Sequence, residues 1–175
     1  MKVQPAEKAK LFLGVMFSSD EVYKQIISEL VSKFGEIETE SDEYDFTDFT
    51  KYYEDEMGKN VRKKFVVFRD LIDSSDISDI KLWTNDIEDK YAEDGKRIFN
   101  LDPGYFTEAK LVLGTMKNRA HKIYLGKGVY GDLTLLFKKN EAVDFEWTFP
   151  DFKSSFVKMF FLKERNKVKK AREIK

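Results

Sequence analysis

The residues of this chain that could do chemistry stand in a few short polar segments. Residues 100–105, Asn-Leu-Asp-Pro-Gly-Tyr, bring an amide, a carboxylate and a phenol close together. Such groups could orient a polar ligand or a magnesium ion. The alternative is a plain turn, because Asp followed by Pro-Gly is sufficient for one. Both interpretations remain open here, and Asp102 is one candidate catalytic base.

His121 is the second candidate base and the only histidine in the chain. Its sequence neighbours include lysine and arginine, which disfavour a further positive charge on the ring. A neutral imidazole beside ammonium groups suits general-base work or phosphate handling, whereas the alternative is a structural histidine. With one histidine and no cysteine, the sequence excludes zinc, iron–sulfur and two-histidine metal sites within one chain.

A glycine-rich segment at residues 126–131 matches the pattern G-x-G-x-x-G. Dinucleotide binding requires a helix after this pattern, but the following residues, Asp-Leu-Thr-Leu-Leu-Phe, are typical of a strand. The segment is therefore predicted to link a β-hairpin, with glycines supplying positive φ. The alternative is a loop that contacts phosphate through Lys127.

Two aromatic segments complete the set of candidates. Residues 52–58 combine two tyrosines with three carboxylates, which favours a lid or an interface over a plain acidic loop. Residues 147–152, Trp-Thr-Phe-Pro-Asp-Phe, have a similar composition near the other end of the chain. Their simplest role is to pin the last helix against a sheet.

The elements that must position these residues follow from hydrophobic periodicity. Residues 10–17 are nearly all apolar and predict a buried central strand, followed by a helix that Ser18 caps and Gly35 ends. The order β-α-β-β-α-β predicts an α+β protein with a ferredoxin-like split β-α-β sandwich, extra C-terminal hairpin strands and a closing helix. Further strands are predicted at residues 36–46, 62–71, 96–101, 109–116, 121–125 and 130–137, and helices at 75–94 and about 156–174.

Composition limits the classes of protein. The chain has 175 residues, 31 basic and 32 acidic, which fits one domain spanning 1–175. An aromatic content of 15% excludes disorder, and no membrane span or secretory leader is recognisable, so we expect a cytoplasmic protein. Abundant lysine and glutamate without cysteine resemble thermophilic usage.

Charge is distributed unevenly. Residues 36–58 hold ten acidic residues and one lysine, and residues 151–175 hold nine basic and three acidic residues. Such blocks usually form solvated faces. They could alternatively contact one another, within a monomer or across a dimer. The least favoured alternative is RNA binding through the basic C-terminal helix.

Several of these segments resemble an uncharacterised bacterial family, the domain of unknown function 4416 family. The matching segments are residues 9–17, 52–58, 100–105, 110–118, 121–135 and 147–152. The resemblance implies no established activity. Some members carry a GTP-binding label, and this sequence has no G-x-x-x-x-G-K-[ST] phosphate loop. The resemblance also implies that certain polar positions are family hallmarks: Tyr53, Glu56, Asn100, Asp102, Lys110, Lys117, His121 and Tyr124.

Together these features predict a polar pocket for a small anionic or phosphorylated ligand. His121 or Asp102 would be the base if chemistry occurs, and we expect the two to lie around one shared hollow. The predicted ligand-binding residues are Tyr53, Glu56, Asn100, Lys110, Lys117, Tyr124 and Lys127. The sequence leaves open whether the protein is an enzyme, and its cofactor is unknown, with magnesium as one option. A non-enzymatic interaction module or homodimer is the alternative function.

Overall fold

The computed structural model describes residues 1–173, whose strands form one large antiparallel sheet with helices packed on it. The strands are β1 (Lys8–Phe17), β2 (Ile37–Glu40), β3 (Tyr44–Asp45), β4 (Arg62–Asp73), β5 (Phe99–Phe106), β6 (Lys110–Thr115), β7 (Ile123–Gly126), β8 (Val129–Lys138) and β9 (Glu141–Asp144). The α-helices are α1 (Asp20–Phe34), α2 (Glu54–Met57), α3 (Ile77–Lys90), α4 (Pro150–Lys153) and α5 (Ser155–Glu173).

The strand order is β2-β4-β1-β5-β6-β8-β7, with β3 pairing with β4 and β9 pairing with β8. This nine-stranded sheet confirms the predicted combination of helices with a sheet, but it is larger than a ferredoxin-like sheet. The ferredoxin-like assignment and the single-domain boundary therefore stay predictions. Among the described residues, none of the helices combines the length and apolar content needed to cross a bilayer.

The central strand β1 carries no polar side chain from Leu11 to Phe17, because both of its faces are covered there. Leu11, Leu13 and Val15 belong to a core cluster shared with α1 and α3. Phe12 belongs to a second core cluster, which it shares with α5, on the opposite face. Alternation along a strand places these two sets on opposite sides, and a strand buried on both sides has no need for polar positions. The structure thus confirms the predicted central strand.

Helix α1 follows as predicted, with one correction at its start. The N-cap is Ser19, not Ser18: its backbone is extended and its hydroxyl accepts a hydrogen bond from Val22 N at 3.2 Å. Gly35 ends the helix with φ 85°, a conformation that suits glycine. The buried residues Ile26 and Leu30 hold α1 against the sheet.

The alternative of a plain turn at residues 102–104 is wrong, because these residues lie inside β5. Gly104 serves close packing instead of a turn. A Cβ atom there would lie 2.5 Å from Phe12 Cζ and 2.7 Å from the Val112 carbonyl oxygen. The sequence alone cannot distinguish these two uses of glycine, because Phe12 and Val112 reach it from other strands.

Gly104→Ala is accordingly expected to lower the free energy of unfolding by about 1–3 kcal/mol, the usual range for overpacking a core. Urea denaturation would measure the loss. Gly131→Ala is the control, since its Cβ would meet only the flexible end of Leu125 at 3.2 Å. Phe12→Leu in the Gly104→Ala background should restore part of the stability; equal stability of wild type and Gly104→Ala would contradict the packing argument.

The closing helix α5 ends at Glu173 among the described residues, and the last predicted position, residue 174, lies outside them. Phe156 at its start contacts the rings of Tyr44 and Phe49, with centroid distances of 4.9 and 6.3 Å. Further along the helix, Lys167 Nζ donates to the Thr39 hydroxyl at 3.0 Å. The acidic segment 36–58 and the basic helix therefore touch within one chain.

Candidate functional site

A cavity of about 570 Å3 opens where strands β5 and β6 separate. β6 pairs with β5 along residues 104–106, so residues 99–103 pair with β1 alone among the described strands. Side chains from both strands, from α3 and from the β6–β7 and β9–α4 loops surround the gap. The lining residues are Phe46, Tyr53, Lys63, Lys81, Asn85, Glu88, Arg97, Asn100, Asp102, Leu113, Gly114, Thr115, Met116, Lys117, Arg119, His121, Lys122, Asp132, Thr134, Trp147, Phe149 and Phe152.

Two charged side chains of α3 replace the missing strand at the open edge of β5. Leu101 N donates to Glu88 Oε1 at 2.6 Å, and Lys81 Nζ donates to Leu101 O at 3.0 Å. Because backbone groups of residues two apart face the same edge, Pro103 N also faces the gap. Proline has no N–H, so this position leaves no donor without a partner.

Glu88 is the most perturbed carboxyl in the cavity. It is 3% exposed, and burial raises its pKa to about 7, with the nearby Asp102 carboxylate acting in the same direction. Lys81, the Leu101 N–H and Arg97 oppose this shift without cancelling it. Glu88 therefore exchanges its proton near neutral pH.

Asn100 presents an unpaired hydrogen-bond donor within the cavity lining. The residue is 3% exposed, and its Nδ2 has no partner among the described residues. Its Oδ1 accepts a hydrogen bond from Arg97 Nη1 at 2.7 Å. A guanidinium only donates, so it fixes which end of the amide it meets and leaves Nδ2 free.

Arg97 is held in turn by Glu56 of the short helix α2. Arg97 Nε donates to Glu56 Oε2 at 2.7 Å, and its guanidinium carbon lies 5.5 Å from the centroid of the Tyr53 ring. This hydrogen bond raises the pKa of Arg97 and lowers the pKa of Glu56. Burial raises the pKa of Tyr53, so its phenol keeps its proton. The predicted lid segment therefore contacts the site through Tyr53 and Glu56 at Arg97.

A buried ion pair closes the side of the cavity toward β4. Lys63 Nζ lies 2.8 Å from Asp151 Oδ2, and the side chains are 2% and 0% exposed. Tyr44 donates its hydroxyl proton to the same carboxylate oxygen at 2.8 Å. Gly14 makes room for the lysine, since a Cβ there would lie 2.8 Å from Lys63 Cε. Asp102 Oδ2 approaches Lys63 Nζ more loosely, at 3.9 Å.

His121 is held by a ring stack and lies near a carboxylate. Its imidazole stacks on Trp147 with a centroid distance of 5.2 Å and an interplanar angle of 15°. Trp147 is itself stacked on Phe145 and donates from Nε1 to Leu133 O at 2.9 Å, which fixes the indole. Asp132 Oδ2 lies 3.7 Å from His121 Nε2 and 3.1 Å from Lys122 Nζ. The ring is thus oriented without being enclosed.

The charge in the lining is predominantly positive. Six basic side chains face three acidic ones, Glu88, Asp102 and Asp132. Asp151 and Glu56, which are not part of the lining, neutralise Lys63 and Arg97. Lys117 and Arg119 form no ion pair with a described residue, although Lys117 Nζ lies 4.8 Å from the centroid of the Tyr52 ring. These two exposed residues carry positive charge that no ion pair with a described residue neutralises, although Lys117 also interacts electrostatically with Glu56.

The family model described as a domain of unknown function (DUF4416) matches residues 7–168. The chain belongs to this family. The matched region includes every residue that lines the cavity, so the site is part of the DUF4416 domain. A search of curated proteins and a search of solved structures each find no match. The resemblance seen in the short sequence segments is therefore confirmed at the level of the family.

The predicted site residues of this DUF4416 chain fall into two groups. Those that line the cavity are Tyr53, Asn100, Asp102, Lys117 and His121, and Glu56 stands behind Arg97. Lys110, Tyr124 and Lys127 do not line it. Lys127 sits in the predicted hairpin turn with φ 56° and pairs with Asp79 at 2.6 Å, while the Tyr124 hydroxyl accepts from Gly128 N at 3.3 Å.

Several lining residues were not singled out from the sequence. For Lys81 and Glu88 a signal existed: they lie seven residues apart on the buried stripe of α3, together with Ile77 and Ile80. Lys63 likewise precedes Phe65 by two positions, which places it on the same face of β4. For Arg97 and Asp132 no sequence pattern identifies a partner. No group of three or more histidine and acidic side chains in the described residues could hold a metal ion.

Proposed function

We propose that the cavity between β5 and β6 binds a small anionic ligand. The observation that carries this proposal is the buried, unpaired Nδ2 of Asn100, which Arg97 holds in the donor orientation. An unsatisfied buried donor costs about 1–3 kcal/mol, so its retention favours a ligand acceptor that completes it. The positive charges of Lys117 and Arg119, which form no ion pair with a described residue, favour an anion as the source of this acceptor.

His121 and Asp102 are the proposed acid–base groups if the ligand reacts. Both line the cavity, and Asp132 Oδ2 lies 3.7 Å from His121 Nε2. The lysines and Arg119 would stabilise negative charge that develops on the ligand. Binding alone requires none of these proton transfers, so the binding proposal does not depend on catalysis.

Asn100→Asp is expected to weaken anion binding by about 10- to 100-fold, since it removes a hydrogen bond to a charged group and adds repulsion. Isothermal titration calorimetry with inorganic phosphate and with glycerol 3-phosphate would measure this, at low salt. Asn140→Asp makes the same change in an exposed turn and should leave affinity within about twofold. The proposal is refuted if neither probe binds the wild type, or if Asn100→Asp and the wild type bind with equal affinity.

A further inference from the structure

A second polar group of β5, the carboxylate of Asp102, faces the cavity beside Asn100. Asn100 needs a hydrogen-bond acceptor, whereas Asp102 needs a hydrogen-bond donor. Asp102 lines the cavity with a side chain that is 35% exposed, and among the described residues its one ion-pair neighbour is Lys63 at 3.9 Å. No hydrogen-bond donor of the described residues reaches its carboxylate. A carboxylate offers about four acceptor sites, so Asp102 can accept hydrogen bonds from a ligand.

The spacing of the two groups is set by the strand. Asn100 and Asp102 are two residues apart in β5, so they share one face with Cα atoms about 7 Å apart. One offers a donor and the other an acceptor. An anion bound at Asn100 would therefore lie within one small molecule's length of a carboxylate that repels it. A ligand fits both residues when it carries hydroxyl groups next to its anionic group.

The basic residues determine the orientation in which such a ligand binds. Lys117 and Arg119 come from the loop after β6, whereas Asp102 and the buried Lys63–Asp151 pair lie on the β5 and β4 side. The anionic group is drawn toward Asn100, Lys117 and Arg119. The hydroxyl groups then face Asp102.

We propose that the ligand of this site is a hydroxylated anion, in which hydroxyl groups donate to Asp102 while a phosphate or carboxylate accepts from Asn100. This inference rests on the proposed anion site and deepens it by naming the ligand class. A site with a partly exposed carboxylate disfavours an anion without hydroxyls, because the carboxylate is then left unpaired beside a like charge. Asp102 therefore determines the selectivity for hydroxylated anions, and Asn100 contributes affinity for the anionic group itself.

The test compares probes that differ only in hydroxyl groups. Calorimetric titration would use glycerol 3-phosphate against propyl phosphate, and glycerate against propionate. The wild type is expected to prefer the hydroxylated member of at least one pair by about tenfold or more, as for a hydrogen bond to a charged group. The pair with the larger difference identifies the anionic group as phosphate or carboxylate.

Asp102→Ala should bring the ratio of affinities close to one by weakening the hydroxylated probe and tightening the other. Asp42→Ala, which removes an exposed carboxylate between β2 and β3, should leave the wild-type ratio unchanged. Equal affinities within both pairs for the wild type would overturn the hydroxylated-anion proposal while leaving the anion site standing. Failure of all four probes to bind would instead refute the anion site itself. The wild-type comparison decides the matter even if Asp102→Ala fails to fold.

Discussion

Asp151→Asn is expected to lower the free energy of unfolding by about 3–5 kcal/mol, because it leaves the buried Lys63 ammonium without its counter-charge. The asparagine oxygen can still accept from Phe152 N, as Asp151 Oδ1 does at 2.9 Å. The loss therefore falls on Oδ2, which Lys63 and the Tyr44 hydroxyl both use. Burial and this carboxylate raise the pKa of Tyr44, so the phenol remains a donor that needs an acceptor.

Urea denaturation of two further variants separates the effect of the buried ion pair from that of an exposed one. Lys63→Met combined with Asp151→Asn should recover much of the loss, because neither charge then remains buried. Glu36→Gln breaks the exposed pair with Arg69, whose side chains are 62% and 58% exposed, and should cost less than about 1 kcal/mol. A cost below about 1 kcal/mol for Asp151→Asn would show that the lysine is not held as the contacts indicate.

The second large effect is a stability that falls as pH rises from about 4.5 to about 7. Burial raises the pKa of Glu88 to about 7, so the folded protein binds this proton more tightly than the unfolded chain. Unfolding then releases a proton in this window, and stability decreases with rising pH. Integrated over its pKa shift, Glu88 lowers the free energy of unfolding by roughly 3 kcal/mol at pH 8 relative to pH 4.

Glu88→Gln should remove this dependence, because the amide oxygen can still accept from Leu101 N but has no proton to exchange. The difference in unfolding free energy between variant and wild type, measured in urea at pH 5, 6, 7 and 8, should rise in favour of the variant as pH increases. Asp86→Asn, an exposed position on the same helix, is the matched control and should give a difference independent of pH. A constant difference for Glu88→Gln would show that the carboxyl titrates below this range.

Both predicted effects come from buried charged groups, the Lys63–Asp151 pair and Glu88. Selection for stability alone would favour apolar residues at such buried positions. A buried ion pair contributes little to stability compared with apolar residues of similar size, and perturbed carboxyls concentrate at functional sites. Lys63, Glu88 and Asp102 lie around one cavity, together with the unpaired amide of Asn100. This concentration favours a functional site at the cavity more than any one of these residues would.

Local pattern was sufficient for the elements whose signal lies in consecutive residues. The apolar run of β1, the periodic stripe of α1 and the glycine-rich hairpin between β7 and β8 were all predicted from the sequence. In each case the residues that determine the structure are neighbours in the chain. Strand alternation and helical spacing are therefore visible without knowledge of the fold.

Contacts between distant residues were decided only by the tertiary structure. Asp-Pro-Gly became part of a strand because Phe12 and Val112 pack around Gly104. The donor orientation of Asn100 depends on Arg97, and the position of Arg97 depends on Glu56, 41 residues earlier. The sequence by itself determined the family and the main elements, and it identified Asn100, Asp102 and His121 as candidates. The register and spreading of the strands brought them to one cavity, because side-chain partners come from pairing across the sheet and not from order along the chain.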